Sequence, residues 1–210
     1  MQTPHHMTND SDSATAERSA HREKLWQAIS PPLYRTSDTS RFPDMLVKAI
    51  AAHDIASTTG IGFVGPAGTC KTRAAYVLLR RFHDAGREVS AIAAPDFATA
   101  AGEQFDNSVI REFSLGPIRR VSDVAKATLS RCKIVPVLFI DDLGKGKMTE
   151  RAEIELFNVL EARTSNMLQT VWTSNAGSSE LAAMLSPDRR DPILRRLVEF
   201  SEIVSTGGRP

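Results

Sequence analysis

At 210 residues, with 41% hydrophobic and 24% charged side chains, the chain is long enough for one α/β domain with a sizeable core and short appendages. A formal charge of +1 excludes a general electrostatic pull toward nucleic acid or acidic lipid, so any contact with DNA has to come from local basic clusters. The two cysteines, Cys70 and Cys132, lack the number and spacing of a disulfide framework or a zinc site. No apolar run reaches membrane-span length, and the polar N-terminus lacks the apolar core of a signal peptide, so a cytoplasmic protein without a membrane partner is expected.

In chain order, residues 1–18 are rich in Ser, Thr, Asp and His and are expected to form a disordered tail. Residues 19–58 read as a leader: a helix over 17–29 stopped by Ser30-Pro31-Pro32, an extended strap over 31–43, and a helix over 44–55. From residue 59 to 206 the pattern alternates strand and helix, the mark of a parallel sheet with crossovers, and 207–210 form a short tail. Residues 61–64 are a short apolar strand, and 71–84 a helix whose Ala75, Leu78, Leu79 and Phe82 recur at helical spacing before Gly86. A strand over 89–93, helices over 95–106 and 121–131, and an unbroken apolar strand over 134–140 follow. Thr149 is placed as the N-cap of a helix to 165, with Glu150 and Glu153 in its first turn. A strand over 169–173, a helix opened by Asp191-Pro192 and running to about 200, and a strand over 202–205 complete the series.

Three motifs fall at the carboxyl ends of predicted strands. Gly65-Pro66-Ala67-Gly68-Thr69-Cys70-Lys71-Thr72, with Arg73 behind it, lies between a strand and a helix, the context a phosphate-binding loop requires. Its backbone N–H groups and the helix N-terminus suit phosphate oxygens; Lys71 suits the β- and γ-phosphates, and the Thr72 hydroxyl suits Mg²⁺. Cys70 stands where the consensus has glycine, the residue that adopts positive φ without cost. Val137-Leu138-Phe139-Ile140 then ends in Asp141 and Asp142. Ligands bind at that end of such strands, so Asp141 is assigned to the metal shell and Asp142 to the attacking water. Asp-Asp-Leu-Gly is also good turn chemistry, and Asn175, after the strand Gln169-Thr170-Val171-Trp172-Thr173-Ser174, could equally be a turn residue.

The order of these motifs, followed by Leu194-Arg195-Arg196-Leu197, resembles an AAA+ ATPase, and within that clan the DnaC/IstB-like group of helicase loaders and transposition helpers. Pro31-Pro32-Leu33-Tyr34-Arg35 is similar to the lead-in of some DnaC-like proteins, and the resemblance covers about residues 31–205. It implies an α/β P-loop NTPase: a three-layer sandwich with a mostly parallel five-stranded sheet and no C-terminal lid domain. It also implies ATP and Mg²⁺ as cofactors and a nucleotide-dependent homo-oligomer. Asn175 would be sensor I. Arg196 would be the finger reaching a neighbouring subunit's nucleotide, with Arg195 as its rival.

The function so implied is an ATP-hydrolysing switch that loads or remodels a replicative helicase on DNA, with a transposase as the alternative partner. A nucleotide-binding adaptor without turnover and a small P-loop kinase are the other classes considered. Lys145-Gly146-Lys147, directly after the acid pair, is the candidate contact to single-stranded DNA, since lysines bind phosphates without sequence preference. Trp26, Tyr34 and Trp172 could stack on bases, although Trp172 in an apolar strand reads as core.

Overall fold

The computed structural model describes residues 9–36, 38–111, 118–145 and 148–207. Five strands form one sheet in the order β2-β5-β6-β1-β7: β1 Gly60–Val64, β2 Val89–Ala93, β5 Val137–Leu143, β6 Gln169–Ser174 and β7 Ser201–Ser205. Every neighbouring pair in it is parallel, so all five carboxyl ends share one edge. The helices between them are α3 Lys71–Asp84, α4 Ala94–Glu103, α5 Val121–Ile134, α6 Glu150–Ser165, α7 Ser178–Met184 and α8 Pro187–Glu199. A separate two-stranded hairpin, β3 Val109–Arg111 and β4 Ile118–Arg120, follows α4.

Alternation along β5 sets up the three layers. Val137 and Phe139 turn to one face, joining Ile61, Phe63 and Val171 beneath α3. Leu138 and Ile140 turn to the other, joining Trp172 beneath α4, α5, α6 and α8. A strand covered on both faces has to be apolar at successive positions, which is why 137–140 carries no polar residue. The expected three-layer α/β sandwich around a five-stranded parallel sheet is what the chain forms.

The leader packs against the α3 face. Helix α1, Asn9–Ile29, buries Trp26 completely, edge-on to Tyr76 at 6.4 Å and beside His83 at 5.6 Å. Burying one Trp removes ~200 Å² of surface from water, worth about 5 kcal/mol before ordering costs. Helix α2, Asp44–Ala52, adds Leu46 and Ile50 to the same cluster. The 3-10 turn Pro32–Tyr34 between them stacks Tyr34 on Tyr76, with ring centroids 4.8 Å apart.

Several boundaries differ from expectation. Helix α1 starts at Asn9, so 9–18 is helical where a disordered tail was expected: Ala16, Glu17 and Arg18 are strong helix formers. Residues 1–8, with His5 and His6, lie outside the described residues. Ile134 ends α5 and is exposed, and β5 begins only after Pro136, which has no N–H to give a ladder. Asp191-Pro192 does not open a helix. Ser186-Pro187 does, with Pro187 in the first turn, and Pro192 falls inside α8. The 31–43 strap contains a 3-10 turn, and α7 and the β3–β4 hairpin were not foreseen at all.

Arg163 of α6 is fully buried and pins three elements together. Its guanidinium donates to Cys132 O at 2.9 Å and Val135 O at 2.8 Å at the end of α5, to Thr170 Oγ1 at 2.9 Å, and to Gln169 O. Burial depresses its pKa to about 10. Removing it strands these acceptors, so Arg163→Ala should cost about 3 kcal/mol in urea-induced unfolding. A loss under about 1 kcal/mol would contradict this role.

Candidate functional site

The loop 65–70 leaves the end of β1 and turns into α3. Gly68 has φ 82° and Cys70, the residue before the helix, φ 67°, so both occupy the left-handed region. For cysteine that conformation costs roughly 1–2 kcal/mol, and the loop adopts it even though the consensus glycine is missing. The orphan N–H groups of the first turn of α3 open onto a cleft of about 320 Å³. Its walls are Leu33, Tyr34, the loop itself, Lys71, Thr72, Arg73, Asp142 and Asn175.

Lys71 is buried beneath the loop, its ammonium donating to Pro66 O at 2.7 Å and Thr69 Oγ1 at 3.4 Å. Burial lowers its pKa, and the carboxylates of Asp142 and then Asp141 oppose that shift.

The acid pair sits where β5 departs from regular pairing with β6, between Ile140 and Leu143. Asp141 Oδ1 accepts from Thr72 Oγ1 at 2.9 Å and from Thr173 Oγ1 at 2.5 Å. Asp142 takes a left-handed φ of 59°. Its N–H donates to Thr173 Oγ1 at 2.8 Å, its Oδ1 accepts from Asn175 Nδ2 at 3.1 Å, and its Oδ2 faces Lys145 Nζ at 3.3 Å. The two carboxylates thus have different partners: one is bound to the hydroxyl under the loop, the other to a strand-end amide and an exposed amine.

Among the described residues no cluster of three His, Cys, Asp or Glu side chains exists. The oxygen pair Thr72–Asp141 nevertheless suits a small hard cation, which takes its other ligands from phosphates and water.

The structure thus gathers residues 67–73, Asp142 and Asn175 around one cleft, with Asp141 behind Thr72 and with Gly65 and Pro66 leading into the loop. It does not bring Arg196 there. Arg196 Nε pairs with Glu161 at 2.5 Å, Nη1 donates to Pro192 O at 3.0 Å, and the guanidinium lies 4.6 Å from the Phe157 ring centroid. Its neighbours Thr58, Thr170 and Ser201 mark the opposite edge of the sheet, where strands begin. Arg195 is 73% exposed and pairs with Glu199. Trp26 and Trp172 are buried and offer no ring to a base. Lys145 is exposed; Gly146 and Lys147 lie outside the described residues.

Sequence reasoning missed Thr173, which links the two aspartates, and the cleft residues Leu33 and Tyr34. A hydroxyl at the end of an otherwise apolar strand beside the acid pair was the available signal for Thr173.

No protein-family model matches the chain, and no curated protein matches it in sequence. Solved structures do match its fold. DnaI aligns at TM-score 0.64 and 16% identity over 89% of this chain and 98% of that one. The DnaC helicase loader aligns at 0.59 and 17% over 87% and 98%. The replication initiator DnaA, bound to AMPPCP and single-stranded DNA, aligns at 0.57 and 19% over 77% of this chain, which spans only 44% of DnaA's length. The chain therefore shares the fold of these proteins, helices on both faces of a parallel sheet. No helix among the described residues is long and apolar enough to cross a membrane.

A thiol reagent should label half-buried Cys70 and scarcely touch Cys132, which is buried and whose thiol pKa is raised by burial. Mg-ATP should protect Cys70, and Cys70→Gly should bind ATP at least as well as the parent while gaining about 1 kcal/mol from relief of the left-handed cysteine. Labelling unaffected by Mg-ATP, measured by mass spectrometry, would contradict a phosphate-cradling loop.

Proposed function

We propose that this chain is an ATP-hydrolysing AAA+ switch of the DnaC/IstB-like kind, which loads or remodels a replicative helicase on single-stranded DNA. The observation that carries the reading is the 2.9 Å contact between Thr72 and Asp141, which joins the loop and the acid pair into one site.

In this reading Lys71 exchanges Pro66 O for the β- and γ-phosphates of ATP, a stronger partner for a buried ammonium than a neutral carbonyl. Thr72 and Asp141 would hold Mg²⁺, which would neutralise charge developing on the phosphates. Asp142 orients and deprotonates the attacking water, and Asn175 fixes the carboxylate through its Oδ1. Arg196, held by Glu161 in the single chain, is released to a neighbouring subunit's nucleotide when subunits stack, so turnover rises on assembly. The helicase and DNA assignments rest on likeness to the DnaC helicase loader and to DnaA bound to single-stranded DNA. Exposed Lys145 is the described residue best placed to pass the state of Asp142 to a DNA backbone.

Lys71→Ala should abolish ATP binding. Asp142→Asn should bind ATP within about threefold of the parent but lose ~100-fold or more in turnover, because it removes a base and little of the metal shell. Calorimetry with Mg-ATP and a phosphate-release assay separate the two; equal loss of binding in both variants would contradict this division of roles.

A further inference from the structure

The chain leaving β7 is tied to the loop at its far end. Thr206 N–H donates to Val64 O at 2.8 Å, and its hydroxyl lies 3.3 Å from the same carbonyl and 2.6 Å from Thr69 Oγ1. Thr69 in turn donates to Pro66 O at 2.9 Å and accepts from Lys71 Nζ at 3.4 Å. One assignment of protons uses every group: Thr69 gives its hydrogen to Pro66 O, and its oxygen accepts from Thr206 and Lys71. The Thr206 side chain also fills the space beside Gly65. A Cβ there would lie 2.5 Å from Thr206 Oγ1, and Gly65 already has a φ of 145°. Thr206 itself is buried, so the loop is walled beside Gly65 and Thr69 by a fixed hydroxyl.

We propose that Thr206 is a positioning residue for loop 65–70, holding it in phosphate-accepting shape through Thr69. The affinity of the cleft is then set in part by β7, the strand that follows α8. The inference rests on the nucleotide-binding reading. Its geometric half is independent of that reading, because a Thr206-held loop is stiffer whether or not nucleotide binds. Valine keeps the shape of threonine and deletes the hydroxyl, whereas serine keeps the hydroxyl.

The test uses the full chain and two readouts. With a fluorescent ATP analogue and Mg²⁺, Thr206→Val should bind about tenfold more weakly, the effect of losing one buried hydrogen bond to an immobile partner. Turnover at saturating ATP should stay within about twofold, and Thr206→Ser should behave like the parent. Thr69→Val combined with Thr206→Val should bind no worse than Thr69→Val alone, since both delete one contact. In the nucleotide-free protein, Thr206→Val should speed thiol labelling of Cys70 several-fold without accelerating buried Cys132, and Thr206→Ser should not. Unchanged labelling and affinity in Thr206→Val, acceleration of Cys132 alongside Cys70, or failure of serine to restore both, would overturn the positioning role. If the parent binds no nucleotide while Cys70 labelling still responds to Thr206→Val but not to Thr206→Ser, the positioning role stands and the nucleotide reading fails.

Discussion

One carboxylate oxygen, Asp141 Oδ1, ties the molecule together at the edge where the sheet ends. It accepts from Thr72 at the start of α3 and from Thr173 near the end of β6, so three segments distant in sequence meet within hydrogen-bond reach. That meeting demands that β1, β5 and β6 lie side by side and end at the same edge, which only a parallel arrangement supplies. Drawing a carboxylate partly out of water is unfavourable, and two hydroxyl donors on one oxygen offset the loss. Asp142 depends on the same hub through its N–H to Thr173, so both acids are oriented by one buried hydroxyl.

The sheet can serve that edge because both faces are sealed. Leader helices α1 and α2 cover α3 on one side with Trp26, Leu46 and Ile50, while α4, α5, α6 and α8 cover the other. Arg163 closes the opposite edge by satisfying carbonyls at the end of α5 and the start of β6. Of the three described non-glycine residues in left-handed backbone, Cys70 and Asp142 lie together at the cleft, where the rigid layers behind them hold those conformations in place, while Met167 turns the chain between α6 and β6.

Much of this was legible in residue order. Helix α3 and strand β2 have the boundaries expected from periodicity and from Gly86, and Thr149 caps α6 through Ala152 N as its sequence signalled. The loop, the acid pair and Asn175 were recognisable because each follows an apolar strand, and parallel strands deliver such residues to one edge. Features made by contact between remote segments were not legible. Thr69 and Thr206 are 137 positions apart, and neither residue type announces a partner. Strands β3 and β4, three residues each, are too short for a period to declare itself. Pro192 was taken to open α8 because an aspartate precedes it, whereas the helix opens five residues earlier at Pro187, behind Ser186. The leader's strong docking was hidden because Trp26 is a lone aromatic in a polar helix whose burial comes from α3.

In the proposed function this cleft receives a metal-bound triphosphate, and Lys71 changes partners to do so. A crystal structure of the protein grown with Mg²⁺ and a non-hydrolysable ATP analogue tests it most directly. The claim predicts Lys71 Nζ withdrawn from Pro66 O and within hydrogen-bond distance of the terminal phosphates, and a metal about 2.1 Å from Thr72 Oγ1. A nucleotide bound elsewhere, or one bound here with Lys71 still on Pro66 O and no metal at Thr72, would contradict it.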